Sequence, residues 1–303
     1  MSPVRPRASI SLLDPETLSR LGNLSFRARL VVEGFIAGLH QSPYHGFSVE
    51  FSEHRPYSPG DEIRLLDWKV YGRTDRFVVK QFQEETNLKA YLVVDASASM
   101  GFTSRGFTKL DYAKHLAAAL AYLMLKQRDA VGLLTFDERP RTYYPPRSVL
   151  SYLTPILTEL ESLGPGGPTR LGPVLHELAE RIRRRGLILV LSDLLDEPAE
   201  ILSGLRHFRH DGHEVIVFHI LDPLERDLDL SGNVVFEDLE THQRLGTQAA
   251  HIRRAYREQV RAFIDAMRKQ CREHFIDYVL LDTSEPFDRA LFEYLVKRKR
   301  LRG

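Results

Sequence analysis

From residue 88 onward, short apolar segments alternate with longer amphipathic segments, and this alternation restricts the possible folds more than any other feature. The apolar segments have the length of buried strands, and the amphipathic ones repeat apolar residues with helical spacing. This order favours a parallel sheet covered by helices on both faces, so we predict an α/β fold with a doubly wound, mainly parallel sheet. The predicted strands are residues 88–95, 130–136, 187–192, 214–221 and 276–281, the predicted helices are residues 109–127, 149–163, 169–185, 198–210, 247–274 and 286–300, and a small hairpin is predicted at 234–239 and 242–245.

The first 87 residues lack this alternation. Residues 15–40 have helical spacing, and residues 48–57 and 77–82 resemble strands around a turn at Pro59-Gly60-Asp61. We therefore predict two units, a small N-terminal α+β subdomain of residues 1–87 and an α/β domain of residues 88–303.

Composition narrows the class of protein. The 303 residues carry a net charge of only +1, which provides no general attraction to nucleic acid. No apolar run approaches the roughly 18 residues of a membrane-spanning helix, so no membrane insertion is expected. Cys271 is the single cysteine, which prevents an intrachain disulfide and fits a reducing compartment. We expect a soluble, cytoplasmic protein.

Oxygen-bearing side chains follow two of the predicted strands at the points where they end. Asp95 ends the first strand, and Ser97 and Ser99 follow at alternate positions, which lie on one side of an extended chain. Asp193 ends the strand 187–192, and Thr169 lies in a Gly/Pro-rich loop before a helix. Open α/β sheets bind ligands beyond the carboxyl ends of their strands. Because oxygen-only ligand sets suit hard cations, we predict a metal site for Mg²⁺, or for Mn²⁺ or Ca²⁺, and no catalytic residue.

Simpler roles exist for the same residues. Thr169 is placed to cap the helix that follows it, which is a usual role of threonine, and Asp193 is placed to cap the helix after its own strand. The order of the parts, with three segments in one α/β chain, favours the metal site over these roles.

The chain resembles two related groups of proteins. Its strand with Asp95-x-Ser97-x-Ser99, followed by Thr169 and Asp193, resembles the metal-ion-dependent adhesion site of von Willebrand factor type A domains. A more specific signature lies upstream and resembles the bacterial domain-of-unknown-function family 58, whose members carry a type A-like domain after such a segment. That signature, residues 50–64, reads Glu-Phe-Ser-Glu-His-Arg-Pro-Tyr-Ser-Pro-Gly-Asp-Glu-Ile-Arg and contains the motif Arg-x-Tyr-x-Pro-Gly-Asp.

The resemblance implies a function as well as a fold. It implies a cation held by Ser97, Ser99 and Thr169, with Asp95 and Asp193 acting partly through water, and an open position that a partner's carboxylate fills. It also implies a non-enzymatic protein-interaction module that acts with a MoxR-type AAA+ ATPase in complex assembly or chaperone-like work.

Two other functions remain open at this point. Asp95, Asp193 and Asp196 superficially resemble the acids of a Mg²⁺-dependent phosphohydrolase, although such enzymes usually have a second acid where Ser97 stands. The alternative is a structural scaffold whose metal site is vestigial.

The upstream signature is also rich in charge. We interpret this cluster as a hydrogen-bonded network that fixes the turn and packs Trp68, in preference to an interaction surface. Its members are Arg55, Asp61, Arg64, Asp67, Trp68 and Arg73.

Overall fold

A computed structural model of the chain describes residues 15–19, 22–41, 54–57, 68–80, 88–239 and 243–302. Its strands are β1 (His54–Pro56), β2 (Val78–Lys80), β3 (Lys89–Asp95), β4 (Ala130–Phe136), β5 (Pro140–Arg147), β6 (Leu187–Ser192), β7 (Glu214–Leu221), β8 (Asn233–Glu237), β9 (Arg244–Gln248) and β10 (Asp277–Asp282). Its helices are α1 (Pro15–Ser19), α2 (Leu24–Gln41), α3 (Trp68–Thr74), α4 (Lys109–Lys126), α5 (Leu153–Ser162), α6 (Leu171–Arg181), α7 (Pro198–His210), α8 (Pro223–Asp227), α9 (Ala249–Glu273) and α10 (Asp288–Arg302).

Six strands form the central sheet, in the order β10-β7-β6-β3-β4-β5. Every neighbouring pair is parallel except β4 and β5, which are antiparallel. The chain passes from β3 to β4 on one side and later returns to place β6 on the other side of β3. This reversal makes the carboxyl ends of β3 and β6 a topological switch point. The predicted α/β fold with a doubly wound, mainly parallel sheet is confirmed.

The central strand β3 contributes to a hydrophobic core on each face of the sheet. Leu92 and Val94 belong to the core that contains residues of α2, α4, α5 and α10, whereas Tyr91 and Val93 belong to the core that contains residues of α6, α7 and α9. Because alternate residues of a strand point to opposite faces, one apolar run supplies both cores. The sheet is therefore buried on both sides, and β3 is held rigidly beneath its polar end.

Most boundaries agree with the sequence-based prediction, and the differences have physical reasons. The edge strand β5 was not predicted, because its three prolines and its polar alternation resemble a loop; proline in a sheet is typical of edges. The five-residue helix α8 was also missed. The predicted helix 15–40 is two helices separated near Gly22, which has a positive φ of 43°. The predicted helix 149–163 begins with a 3-10 turn at Leu150–Tyr152.

Helix α2 of the N-terminal region packs into the hydrophobic core of the α/β domain, which the sequence did not indicate. Ala28, Val31, Val32 and Phe35 of α2 are buried in the same core as α4. The antiparallel pair β1–β2 lies within the predicted strands 48–57 and 77–82; the Pro59-Gly60-Asp61 turn between them falls outside the described residues. The division into subdomains of residues 1–87 and 88–303 stays a prediction.

The interpretation that Trp68 is packed by its neighbours is wrong. Trp68 is 56% exposed, and its ring lies in an edge-to-face arrangement with Tyr71, with ring centroids 6.2 Å apart. The surrounding charge network stays a prediction, since Asp61, Arg64 and Asp67 lie outside the described residues. Within the described ranges, none of the helices combines the length and the apolar character required to cross a membrane.

A buried histidine joins α2 to α4. His115 Nδ1 lies 2.7 Å from the Asp111 carbonyl oxygen, and its Nε2 lies 2.7 Å from Arg27 Nη1. These partners fit a neutral ring that donates from Nδ1 and accepts at Nε2. Burial lowers the pKa of His115 to about 4.

Acid is expected to weaken this connection. The unfolded chain binds a proton at a pKa of about 6.5, above the folded value, so the contribution of His115 is present above pH 6.5 and is lost as the pH falls toward 4. The loss is on the order of 3 kcal/mol. Chemical denaturation between pH 7 and pH 4 should show a shallower decline for His115→Gln than for the wild type. The exposed His251→Gln is the control, and equal slopes in all three proteins would contradict the assignment.

Candidate metal site at the sheet switch point

The first part of the site is the loop that follows β3. The Ser97 backbone N–H donates to Asp95 Oδ1 over 2.9 Å, which turns the chain into a 3-10 turn at Ala98–Gly101. Ser97 Oγ and Ser99 Oγ lie 3.1 Å apart. Asp95 and Ser97 are fully buried, and Ser99 retains 8% exposure. The sheet end therefore presents two hydroxyls side by side above a buried carboxylate.

The Gly/Pro-rich loop before α6 is joined to this turn by the backbone. Ala98 N–H donates to the Gly167 carbonyl oxygen over 2.8 Å, and Gly166 N–H donates to the Ala96 carbonyl oxygen over 2.9 Å. Gly167 has a φ of +74°, and a Cβ there would lie 2.8 Å from Asp137 Oδ2. Glycine is therefore favoured where the loop approaches, chiefly because of its left-handed conformation.

Those hydrogen bonds place Thr169 beside the serines. Thr169 Oγ1 lies 3.5 Å from Ser99 Oγ, and Thr169 is 8% exposed. The residue in the N-cap position of α6 is Arg170, so Thr169 is not the cap of that helix. The alternative role of Thr169 as a helix cap is therefore wrong, and three hydroxyls form a continuous row.

The end of β6 supplies the second carboxylate. Ser192 Oγ donates to Asp95 Oδ2 over 2.5 Å and thus connects the two strand ends. Asp193 follows, fully buried, and the N-cap of α7 is Glu197, so Asp193 does not cap that helix either. Leu194 has a φ of +55°, a left-handed conformation that is costly for a leucine. This strained turn lies directly beside Asp193.

The charge of Asp193 perturbs the carboxyl group of Asp95. Burial, together with the charge of Asp193, raises the pKa of Asp95 to about 7, although hydrogen bonds from Ser192 and Ser97 oppose the rise. Two buried acids in this position are stabilised by any cation that approaches them. The electrostatics of the site therefore favour a bound positive charge.

The chain itself provides one positive charge, and the sequence analysis missed it. Lys109, the first residue of α4, is fully buried, and its Nζ lies 2.7 Å from Asp193 Oδ2 and 2.6 Å from Glu225 Oε1. Burial disfavours the ammonium group, but the carboxylates of Asp193 and Glu225 outweigh it and raise the pKa of Lys109. A lysine in the first turn of a helix is disfavoured by the helix dipole. This unusual position was the sequence signal that Lys109 has a specific partner.

The short helix α8 positions the Glu225 carboxylate of this ion pair. Glu225 lies in α8, where it completes a capping box with Asp222. Asp222 in turn accepts from the backbone N–H and the hydroxyl of Ser104, over 2.9 and 2.5 Å. The sequence Asp222-Pro223-Leu224-Glu225 is itself a capping-box signature of a helix start, and this was the signal that could have located α8 and Glu225.

The donor set fits a divalent cation. Mg²⁺ holds oxygen ligands at about 2.1 Å in an octahedron, which places adjacent ligands about 3.0 Å apart. The hydroxyl separations of 3.1 Å and 3.5 Å are close to this spacing. Among the described residues, no three or more His, Cys, Asp or Glu side chains form a metal-binding group, so hydroxyls would supply much of the coordination.

The same geometry argues against the phosphohydrolase alternative. A nucleophilic aspartate needs a free oxygen that faces its substrate. Asp95 is fully buried, and its two oxygens accept hydrogen bonds from Ser97 N–H and Ser192 Oγ. The Asp196 carboxylate accepts from the backbone N–H groups of Gly172 and Glu197, as a local structural group does.

Fold and site together define an α/β protein with an oxygen-rich site at the switch point of its sheet. A family comparison gives its relatives: residues 53–264 match the family described as "Protein of unknown function DUF58". The chain belongs to this family, as its upstream signature predicted.

Individual relatives agree with that membership. The chain is 31% identical over 231 residues to uncharacterized protein Rv1480 of Mycobacterium tuberculosis, which covers 75% of this chain and 72% of the relative. Uncharacterized protein Mb1516 of Mycobacterium bovis matches to the same extent.

Solved structures with a similar fold share much less sequence. An aerotolerance-related membrane protein from Bacteroides fragilis is 18% identical, with a TM-score of 0.48 over 69% of this chain and 99% of that one. The SpRpn10 VWA domain is 12% identical, with a TM-score of 0.38 over 68% of this chain and 94% of that domain.

Proposed function

We propose that the protein is a non-enzymatic, divalent-cation-dependent protein-interaction module. The observation that carries this proposal is the row of three hydroxyls beside two fully buried carboxylates at the switch point. The proposed ligands are Asp95, Ser97, Ser99, Thr169 and Asp193, and the proposed cation is Mg²⁺, or Mn²⁺ or Ca²⁺.

The exposure of the ligands supports an interaction role. Ser99 and Thr169 retain slight exposure, whereas Asp95, Ser97 and Asp193 have none. A cation held by these five groups is therefore reached from the hydroxyl side. Mg²⁺ keeps exchangeable waters, and a partner's Asp or Glu is the chemistry that replaces a water on such an ion. Catalysis is not proposed, because Asp95 is buried with both its oxygens hydrogen-bonded.

The partner that we propose is a MoxR-type AAA+ ATPase. The resemblance of the upstream signature to its family supports this choice, and the role would be assembly of complexes or chaperone-like work. A cation bridge to an acidic side chain would make the association reversible by chelation.

The test is binding of the partner ATPase in Mg²⁺ and in EDTA. Removing two ligand hydroxyls in Ser97→Ala/Ser99→Ala should weaken Mg²⁺-dependent binding by at least about 100-fold, since even groups behind the ligands are worth about 10–100-fold in metal affinity. Surface plasmon resonance with the immobilised ATPase measures the change.

The matched control is Ser148→Ala/Ser162→Ala, which removes two exposed hydroxyls away from the switch point. It should bind as the wild type does. Equal binding by all three proteins in Mg²⁺ and in EDTA would refute the cation bridge.

A further inference from the structure

An apolar groove lies beside the candidate metal site. Its volume is about 570 Å³, and its walls are the loop after β6, the end of β7 and one face of α9. The apolar side chains that line it are Leu194, Leu195, Leu221, Val260 and Phe263. A groove of this size and chemistry accommodates one or two aliphatic side chains.

The groove and the metal site share a wall. Leu194 and Leu195 directly follow Asp193 in the chain. On the other side, Glu225 lines the groove and binds Lys109, which also binds Asp193. A segment that reaches the cation along this shared wall therefore also passes the groove.

The loop exposes an apolar side chain at the groove. Leu195 is 51% exposed, although leucine is normally buried. The preceding Leu194 is fully buried and has the left-handed φ of +55°. Strained backbone of this kind persists where the surrounding structure holds it, and it is common at binding sites. Here it turns the chain so that Asp193 is kept inside while Leu195 reaches solvent.

A polar group in the groove lacks a partner. His219 lines the groove and is almost fully buried, and its Nε2 makes no hydrogen bond to any residue of the described chain. Its Nδ1 lies 2.5 Å from the Tyr278 hydroxyl. With the Tyr278 hydroxyl donating to Nδ1, the ring carries its hydrogen on Nε2, which is then a donor for a carbonyl oxygen.

The charges around the groove restrict the occupant. Asp196 lines the groove, and its carboxylate accepts hydrogen bonds from backbone N–H groups. Glu225 adds a second acid, paired with Lys109. These two acids repel an acidic side chain of a partner from the groove. In the neighbouring site the buried acids favour a bound cation, and the cation in turn attracts an acidic side chain. The two regions select different side chains.

We propose that the groove binds an aliphatic side chain of an extended partner segment, two residues away from the acidic residue that binds the cation. This inference rests on the proposed function and specifies its partner. Side chains at i and i+2 of an extended segment lie on the same side, roughly 6.6 Å apart. Asp193 borders the metal site and Leu195 borders the groove, so one extended segment of this reach meets both regions. The recognised sequence is Asp or Glu, any residue, then Leu, Ile, Val or Met, in either chain direction.

The experiment uses arrayed peptides with one fixed aspartate. Each of the 20 amino acids is placed in turn two positions before or after that aspartate, with glycine elsewhere. Fluorescently labelled full-length protein is applied in Mg²⁺ and in EDTA. The expected result is Mg²⁺-dependent binding that requires the aspartate and prefers an aliphatic residue at one of the two positions by about tenfold over serine, because the groove removes the apolar side chain from water.

Two variants locate the preference. Leu195→Ser should remove the preference for the aliphatic residue and retain the requirement for aspartate and Mg²⁺. Leu245→Ser, which changes an exposed leucine in β9, should behave as the wild type. The preference then depends jointly on the peptide side chain and on Leu195, as a direct contact requires.

The outcomes separate this inference from the proposed function. One outcome is binding that requires Mg²⁺ and the aspartate and yet shows no aliphatic preference, or a preference that Leu195→Ser does not change. Either result would overturn the proposal for the groove and leave the proposed metal bridge intact. Binding that ignores Mg²⁺ and EDTA in every peptide would overturn both.

Discussion

Replacing Lys109 with methionine is expected to lower the free energy of unfolding by about 3–5 kcal/mol. Methionine retains much of the side-chain length but removes the ammonium group, so Asp193 and Glu225 lose their shared cation at a fully buried position. An unpaired buried charge is far more costly than the pair is favourable. Urea denaturation without divalent cations, followed by circular dichroism, measures the loss.

A control on the same helix separates this effect from a general change in α4. Lys126→Met removes an exposed ammonium in the last turn and should change stability by less than about 0.5 kcal/mol. In addition, Mg²⁺ should stabilise Lys109→Met more than the wild type, because the site has lost its internal positive charge. A loss below about 1 kcal/mol would show that Lys109 does not neutralise these acids in solution.

Mg²⁺ itself is expected to produce the second large change. A ligand that binds only the folded state at 100 times its dissociation constant raises the free energy of unfolding by about 2.7 kcal/mol. The wild type should therefore unfold at a higher temperature in Mg²⁺ than in NaCl of equal ionic strength. Asp95→Asn should lose this response, since it removes one of the two buried carboxylates. Differential scanning calorimetry measures the unfolding temperatures of the wild type and of Asp95→Asn with and without Mg²⁺.

The salt comparison and a surface variant provide the controls. NaCl of equal ionic strength accounts for screening of surface charges. Asp265→Asn, at an exposed position of α9, should respond to Mg²⁺ as the wild type does. If Mg²⁺ stabilises Asp95→Asn and the wild type equally, the cation binds elsewhere.

The parallel core of the fold was predictable from sequence because its signal is strong and local. The strands β3 and β6 are continuous apolar runs, and α4 begins at a Thr108–Asp111 capping box. The edge strand β5 was missed for the opposite reason. Its exposed face and its prolines lack both the apolar run and the regular alternation on which strand prediction depends.

The site was predictable only in part. Residues that end strands were identified because a parallel sheet brings such ends together, and the structure places Ser97, Ser99 and Thr169 in one row. Lys109 and Glu225 come from elements distant in sequence, and their pairing depends on how α4 and α8 pack. The spacing of apolar residues along the sequence does not reveal a contact of this kind. The groove likewise depends on a left-handed Leu194, for which the sequence offers no signal.

The paired hydrogen bonds between the loop after β3 and the loop before α6 have a mechanical consequence. Ala96 and Ala98 are each joined by backbone hydrogen bonds to the loop that carries Thr169. On its far side, α6 packs closely against α7, where a Cβ on Gly204 would lie 2.6 Å from Leu175. Because both contacts are close, the position of the hydroxyl row depends on how α6 packs against α7.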